Sequence, residues 1–409
     1  MRPSLIGLLA WPALSVAANS NSSLVSSNRT DAFNAEKDAE PSFLLNSAFS
    51  ILGVDAPAEL LELPVGTCNA ATPCVNGACC SGLTGLCGYS PSECGVGNCT
   101  SNCDAKAECG EYGVPGKQIC PLGVCCSGVW TDNIRRFCGS TDDFCDAEKG
   151  CQKEFGGCGP PKRPSYSKDG TSINQRSIGY YETWANTRPC SSVSPEQLNL
   201  QGLTHVNFAF MFFEPNTFEL SPMDKNASSL ISRFTSLKER KPGLETWVSV
   251  GGWPFNDPGK YQHAFSTMSS TAANRKKFIG NLIKFMETYG FDEMRTDRLT
   301  GVDLDWEYPT ADDRGGKPED KANFVLLSKD IKEAFSEKGY GYSLTLPASY
   351  WYLPHFDLAK VQPYVDWFSL MSYDLHATHT NLTKINLGLD LRWRAGVKSQ
   401  NIVLGQGCE

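Results

Sequence analysis

The sequence predicts an α/β protein, a (β/α)8-type barrel of about seven strands, incomplete at its C-terminus, behind two small cysteine-rich modules. Three observations carry this. From Arg176 onward, short apolar runs alternate with amphipathic stretches, the pattern of a parallel sheet covered by helices. No Gly-x-Gly-x-x-Gly opens a helix after the first strand, so a barrel is favoured over a doubly wound sheet. Finally, all of the 18 cysteines except Cys190 and Cys408 lie between Cys68 and Cys158, a density that describes disulfide-stapled modules working outside the cytosol.

At the N-terminus, Arg2 precedes an apolar run, Leu5–Ala17, that ends in small residues. It is short for a membrane span and suits a secretory signal over 1–18. A secreted, extracellular protein is expected, and sequons at Asn21, Asn28, Asn98, Asn226 and Asn381 fit that compartment. Residues 19–66 are Ser-, Asn- and acid-rich without a sustained period and read as a disordered linker. The formal charge of −8 argues against nucleic acid or an acidic membrane as partner. A monomer is expected.

Two cysteine octets follow, over 67–104 and 106–159. The first is Cys68, Cys74, Cys79, Cys80, Cys87, Cys94, Cys99 and Cys103; the second is Cys109, Cys120, Cys125, Cys126, Cys138, Cys145, Cys151 and Cys158. Each holds an adjacent Cys-Cys pair and similar steps, so the region is an internal repeat. Spacing alone leaves the pairing open. Zinc is disfavoured because no histidine accompanies the cysteines. A hinge over 160–175, rich in Pro, Gly and Ser, leads into the barrel segment, 176–409.

Strands are predicted at Ser177–Tyr181, His205–Phe210, Thr246–Val250, Val302–Glu307, Tyr342–Pro347, Trp367–Tyr373 and Ile402–Leu404, with helices at Ala273–Tyr289 and Lys321–Glu337. The fourth strand is the most informative. In Gly301-Val302-Asp303-Leu304-Asp305-Trp306-Glu307, alternation puts three acids on one face and Val302, Leu304 and Trp306 on the other. Buried like charges raise each other's pKa or share a proton. Glu307 sits last, at the end where barrel active sites are built. The pattern reads as a proton relay, Asp303 and Asp305 sharing charge below a Glu307 kept protonated as general acid. His205 and His376 have no partner pattern and read as structural or incidental. Gly251 and Gly252 read as sites of close backbone packing.

Asp303-x-Asp305-x-Glu307, with Ser249-Val250-Gly251-Gly252-Trp253 one strand earlier and Met371-Ser372-Tyr373-Asp374 two strands later, resembles the glycoside hydrolase family 18 chitinases. The octets resemble hevein-type chitin-binding modules, the second more closely. The whole arrangement is similar to a secreted fungal chitinase of the killer-toxin-like subgroup. The resemblance implies hydrolysis of chitin and chitooligosaccharides by a retaining, substrate-assisted route without metal or organic cofactor. Glu307 would be acid and then base, Asp305 would hold the acetamido N–H, Tyr373 would hold the acetamido group and Asp303 would tune Asp305. Tyr180, Phe210, Trp253, Met371 and Asp374 match positions lining the family's cleft. Ser127, Phe137 and Phe144 match the sugar-holding hydroxyl and aromatics of hevein-type modules. The first octet has Ser81 and Tyr89 but Leu86 where an aromatic is expected, and a structural spacer is as good a reading of it.

The chain departs from the family in three places. Residues 293–300 read as inserted before the acidic strand, which puts Asp292 and the strand's register in doubt. The second octet has a long interval between Cys126 and Cys138, centred on 128–136. The chain stops after the seventh strand, and a truncated or misassembled gene product is the expectation. Three functions therefore stay open: a chitinase, a catalytically impaired chitin-binding lectin, and an endo-N-acetylglucosaminidase, which the cysteine modules disfavour.

Overall fold

The computed structural model describes residues 66–130, 133–134, 136–165, 176–291, 300–375 and 381–407. The signal segment 1–18, the linker up to residue 65, most of the hinge, Asp292, the inserted 293–299, His376 and Cys408 lie outside the described residues.

The cysteine-rich unit has little apolar mass, and its order comes from bridges. The first octet pairs Cys68–Cys80, Cys74–Cys87, Cys79–Cys94 and Cys99–Cys103. The second pairs Cys109–Cys126, Cys120–Cys138, Cys125–Cys145 and Cys151–Cys158. Numbered within each octet, both follow the order one–four, two–five, three–six and seven–eight, so the repeat extends to its covalent topology. Each bridge contributes roughly 2–4 kcal/mol, chiefly by restricting the unfolded chain. In the first octet β1 (Cys79–Ser81) pairs antiparallel with β2 (Cys87–Gly88) and β3 (Cys99–Ser101). In the second, β4 (Cys125–Cys126), β5 (Val129–Trp130), β6 (Asn133–Ile134) and β7 (Cys138–Gly139) form two small ladders, β4 with β7 and β5 with β6. The long interval after Cys126 thus contains the antiparallel pair β5 and β6.

In the other unit, β8 (Ile178–Glu182), β9 (His205–Phe213), β11 (Glu245–Gly251), β12 (Gly301–Asp305), β13 (Gly341–Pro347), β14 (Trp367–Met371) and β15 (Ile402–Gly405) pair in parallel in that order. These are the seven expected strands, an incomplete barrel. A short β10 (Leu220–Pro222), which the sequence does not announce, folds back antiparallel on β9. Helices Ala272–Thr288 and Asp320–Lys338 match their predicted bounds to within a residue. The first is capped by the Thr271 side chain and buries Phe278, Ile279, Leu282, Phe285 and Met286, the stripe of a helix lying on a sheet. Outward-facing Trp306 stacks on Phe265 at 5.0 Å and meets Phe324 edge-on.

Three strand bounds need correction, the first being β9, which runs on to Phe213, three residues past the predicted Phe210. The acidic strand ends at Asp305 rather than Glu307, and β14 ends at Met371 rather than Tyr373. Both predicted functional ends are loops leaving the sheet, where backbone groups and side chains are free to face a cleft. At the opposite end, buried His205 lies 3.1 Å from Glu245 and packs edge-on against Trp367. It is a structural histidine, as expected. No described helix is long and apolar enough to cross a membrane.

Candidate active site

Register brings the site's polar groups level. Ser249 on β11 pairs with Asp303 on β12, and Asp303 pairs with Ser343 on β13. All three residues are fully buried. The Asp303 carboxylate accepts from Ser249 Oγ at 2.9 Å, Ser343 Oγ at 2.7 Å, Thr345 Oγ1 at 3.2 Å and the Tyr180 hydroxyl at 2.9 Å. Four donors suit an acceptor-only carboxylate and hold its plane fixed. The Tyr180 bond also shows the sheet's curvature, because it crosses the interior from β8 to β12.

Asp305, two residues on, is treated differently. It is 4 % exposed, and its Oδ1 has no hydrogen-bond partner among the described residues. Burial first, then Glu307, then Asp303 push its carboxyl well above the ordinary aspartate range. Of the two neighbouring carboxylates that raise it, Glu307 acts ahead of Asp303. Glu307 is buried just beyond the strand and is hydrogen-bonded by Tyr308, whose own hydroxyl is raised by burial and by that carboxylate.

The predicted Tyr373 belongs to the same cluster. The residue is 40 % exposed overall. Even so, desolvation, followed by Asp305, Glu307, Asp374 and Asp303, drives its hydroxyl above the tyrosine range. Tyr180 is pushed the same way by burial and Asp303. Met371 closes β14, half-buried between Pro347 and Gly405 in register. Exposed Asp374 follows with a φ of 56°.

Gly251 and Gly252 are required by close approach. A Cβ on Gly251 would stand 2.1 Å from the Asp305 carbonyl oxygen, and one on Gly252 would stand 2.9 Å from the Phe210 ring. Both adopt positive φ. Phe210 stacks on Trp184 at 6.2 Å.

Sequence reasoning missed Arg314. Its guanidinium, almost fully buried, lies 3.7 Å over the Trp253 ring and donates to the Glu307 carbonyl at 3.1 Å and to Asp257 at 2.8 Å. It also donates to the Trp253 carbonyl. One side chain thus ties the indole after β11 to the acid after β12. Its only sequence signal was a lone arginine in an acidic loop. The hydroxyls around Asp303 gave none, because serine and threonine inside a strand read as ordinary polar residues until their neighbours are known.

In the second cysteine octet two of the three expected residues, Ser127 and Phe137, are in contact. Ser127 is 2 % exposed, and its hydroxyl exchanges hydrogen bonds with the Phe137 backbone. It fixes Phe137 rather than standing free. The Phe144 ring lies where a Cβ on Gly139 would come within 2.5 Å. In the first octet the equivalent place over Gly88 is taken by Glu93. There Ser81 and Tyr89 are buried and Leu86 is 47 % exposed. The close cysteine sulfurs of each octet are committed to bridges.

Comparison with known proteins bears on this geometry. The family model described as "Glycosyl hydrolases family 18" matches residues 176–405. The chain is 30% identical over 342 residues to "Secreted chitinase LysM12" of Penicillium expansum, covering 74% of this chain and 21% of that protein. It is 28% identical over 320 residues to "Killer toxin subunits alpha/beta" of Kluyveromyces lactis, covering 73% and 26%. Among solved structures, the Ostrinia furnacalis Group IV chitinase in complex with allosamidin aligns with a TM-score of 0.50 at 25% identity, over 56% of this chain and 64% of that one. The chain thus spans about a fifth to a quarter of the length of these two curated relatives.

Proposed function

Because residues 176–405 make this chain a member of glycosyl hydrolase family 18, we propose that it is an extracellular chitinase that cleaves β-1,4 bonds between N-acetylglucosamine units with retention. The observation that carries the proposal is the unequal treatment of the two aspartates. Asp303 is saturated by four hydroxyls, while Asp305, beside Glu307, keeps a buried oxygen with no donor among the described residues. Buried acceptors are seldom left so, and a substrate acetamido N–H is the donor that would complete it. Most retaining glycosidases use two carboxyls roughly 5–5.5 Å apart on opposite faces of the sugar. Here both acids leave one strand, so attack from the opposite face falls to the substrate.

In this mechanism Glu307 gives its proton to the glycosidic oxygen as the sugar's own acetamido oxygen attacks the anomeric carbon. The leaving sugar departs with the proton, and an oxazolinium ring remains. Asp305, now hydrogen-bonded to the ring N–H, balances its charge, and Tyr373 holds the acetamido oxygen. Glu307, now a carboxylate, takes a proton from water, which opens the ring on the original face. Tyr180, Phe210, Trp253, Met371 and Asp374 line the cleft. Sugar C–H faces stack on flat apolar surfaces at low entropic cost.

The cysteine-rich unit is read as a degenerate hevein-type module over 67–104 and a chitin-binding one over 106–159, placing the protein in the killer-toxin-like subgroup. Hydrolysis of a chromogenic chitooligosaccharide tests the reading. Glu307→Gln is expected to lower kcat by roughly 10³-fold or more while chitin pull-down persists. Equal turnover by both proteins would sink the mechanism. Pull-down without turnover by the natural chain would make it a lectin.

A further inference from the structure

Resting on the extracellular reading of this chain, we propose that Asn98 carries an N-linked glycan whose first sugars cover the apolar surface of the first octet. Val96 is fully exposed and Leu83 is 75 % exposed, the two most exposed large apolar side chains among the described residues. They are distant in sequence, yet the fold sets their turns side by side. The Gly82 N–H donates to the Asn98 carbonyl at 2.6 Å, and a Cβ on Gly82 would stand 2.6 Å from Thr100 Cγ2. The bridges Cys79–Cys94 and Cys99–Cys103 fix the Asn98 turn from both sides. Asn98 therefore stands between the two exposed side chains, two residues after Val96 and bonded to the neighbour of Leu83.

Apolar side chains presented together on a rigid surface invite association unless something covers them. The chain supplies its own cover. Asn98-Cys99-Thr100 is an acceptor triplet, and the Asn98 carboxamide makes no hydrogen bond among the described residues. Asn381 differs, because its side-chain oxygen accepts from the Lys384 N–H at 3.1 Å and caps the helix Leu382–Arg394. In the second octet the same interval, between the sixth and seventh cysteines, holds Asp146, Glu148 and Lys149 and no acceptor triplet. Charge keeps that surface wet where the first octet needs sugar. In the transfer, Asn98 Nδ2 bonds to the anomeric carbon of a lipid-diphosphate-linked oligosaccharide of the secretory pathway. The bond from that carbon to the phosphate oxygen breaks, the departing diphosphate keeps its electron pair, and one carboxamide proton passes to solvent. The product is bulky and solubilising, and it sits directly beside Val96 and the Leu83 turn.

Mass spectrometry reads the proposal out. The full chain is expressed in a eukaryotic secretory host, once with its own N-terminus and once behind the host's leader, and recovered from the medium or the secretory membranes. Enzymatic glycan removal in heavy-oxygen water turns a glycosylated asparagine into labelled aspartate. Labelled aspartate is expected at position 98 in the natural chain and in Thr100→Ser, and its loss in Thr100→Val. Unlabelled Asn98 in the natural chain overturns the proposal. If only the leader-fused chain enters the pathway, the extracellular reading fails and that chain still decides the glycan. Covering is read with the apolar-surface dye ANS. Asn98→Gln is expected to raise its fluorescence over the glycosylated protein, and Leu83→Ser with Val96→Ser in that background to reverse the rise. Equal fluorescence in the natural and Asn98→Gln proteins overturns the cover.

Discussion

Burial, Glu307 and Asp303, in that order, hold the Asp305 carboxyl well above its ordinary range. An acid with a raised folded-state pKa binds more protons folded than unfolded, so its stability contribution is present at low pH. That contribution is lost as pH climbs from the unfolded value, about 3.9, through the folded one. Asp305→Asn removes the titration. The variant should melt close to the natural protein near pH 4 and above it at neutral pH. Each tenfold gain in proton affinity on folding is worth about 1.4 kcal/mol, or roughly 3–5 °C in Tm for a domain of this size. Parallel Tm–pH curves would show that Asp305 does not titrate abnormally. The same raised proton affinity keeps a proton available to the Asp305–Glu307 pair, so kcat should fall as pH rises through that range. Stability gained with activity lost is the expected signature of a strained functional carboxylate.

At the scale of elements, β12 and its loop show what a sequence discloses. Val302, Leu304 and Trp306 between three acids announced a strand buried on both faces, and the register did put Asp303 level with Ser249 on β11 and Ser343 on β13, and Asp305 level with Gly251 on β11. The seven parallel strands were legible for the same reason, since apolar runs flanked by helical stripes have few ways to pack. What stayed hidden was contact across distance. Ser249, Ser343 and Thr345 become ligands of Asp303 only once three strands align. β10 is three residues long, with no periodicity to detect. Arg314 sits seven residues past Glu307, yet it reaches the Glu307 carbonyl, the Trp253 indole and Asp257 together. A methionine there keeps bulk but loses the planar fork. Arg314→Met should lower kcat by roughly 10–100-fold, the cost of an acid displaced by a fraction of an ångström to about 1 Å. Arg314→Lys, which keeps only the charge, should recover little. Full kcat in Arg314→Met would mean the loop after β12 holds Glu307 without the clamp.

Over the whole molecule, two octets with one disulfide topology carry different surfaces. The bridges define the fold of each octet, leaving the residues beside the fifth and sixth cysteines free to vary. In the second octet these are Phe137 and Phe144, the first pinned by Ser127 and the second packed over Gly139. In the first they are Leu86 and Glu93, with Tyr89 buried instead of presented. Two aromatics can hold a sugar by stacking, whereas an aliphatic and a carboxylate cannot, so only the second octet should grip chitin. A weak grip still matters on an insoluble polymer, because tethering turns each later encounter with the barrel into an intramolecular event. Replacing Phe137 and Phe144 by alanine should therefore lower the ratio of insoluble-chitin to soluble-oligosaccharide hydrolysis by about tenfold or more and abolish pull-down. Leu86→Ala with Glu93→Ala should leave both readouts where they were. Rates on the two substrates, measured side by side with pull-down, separate the cases. A first-octet variant that lost retention would show that the repeat binds through a surface its aromatics do not mark.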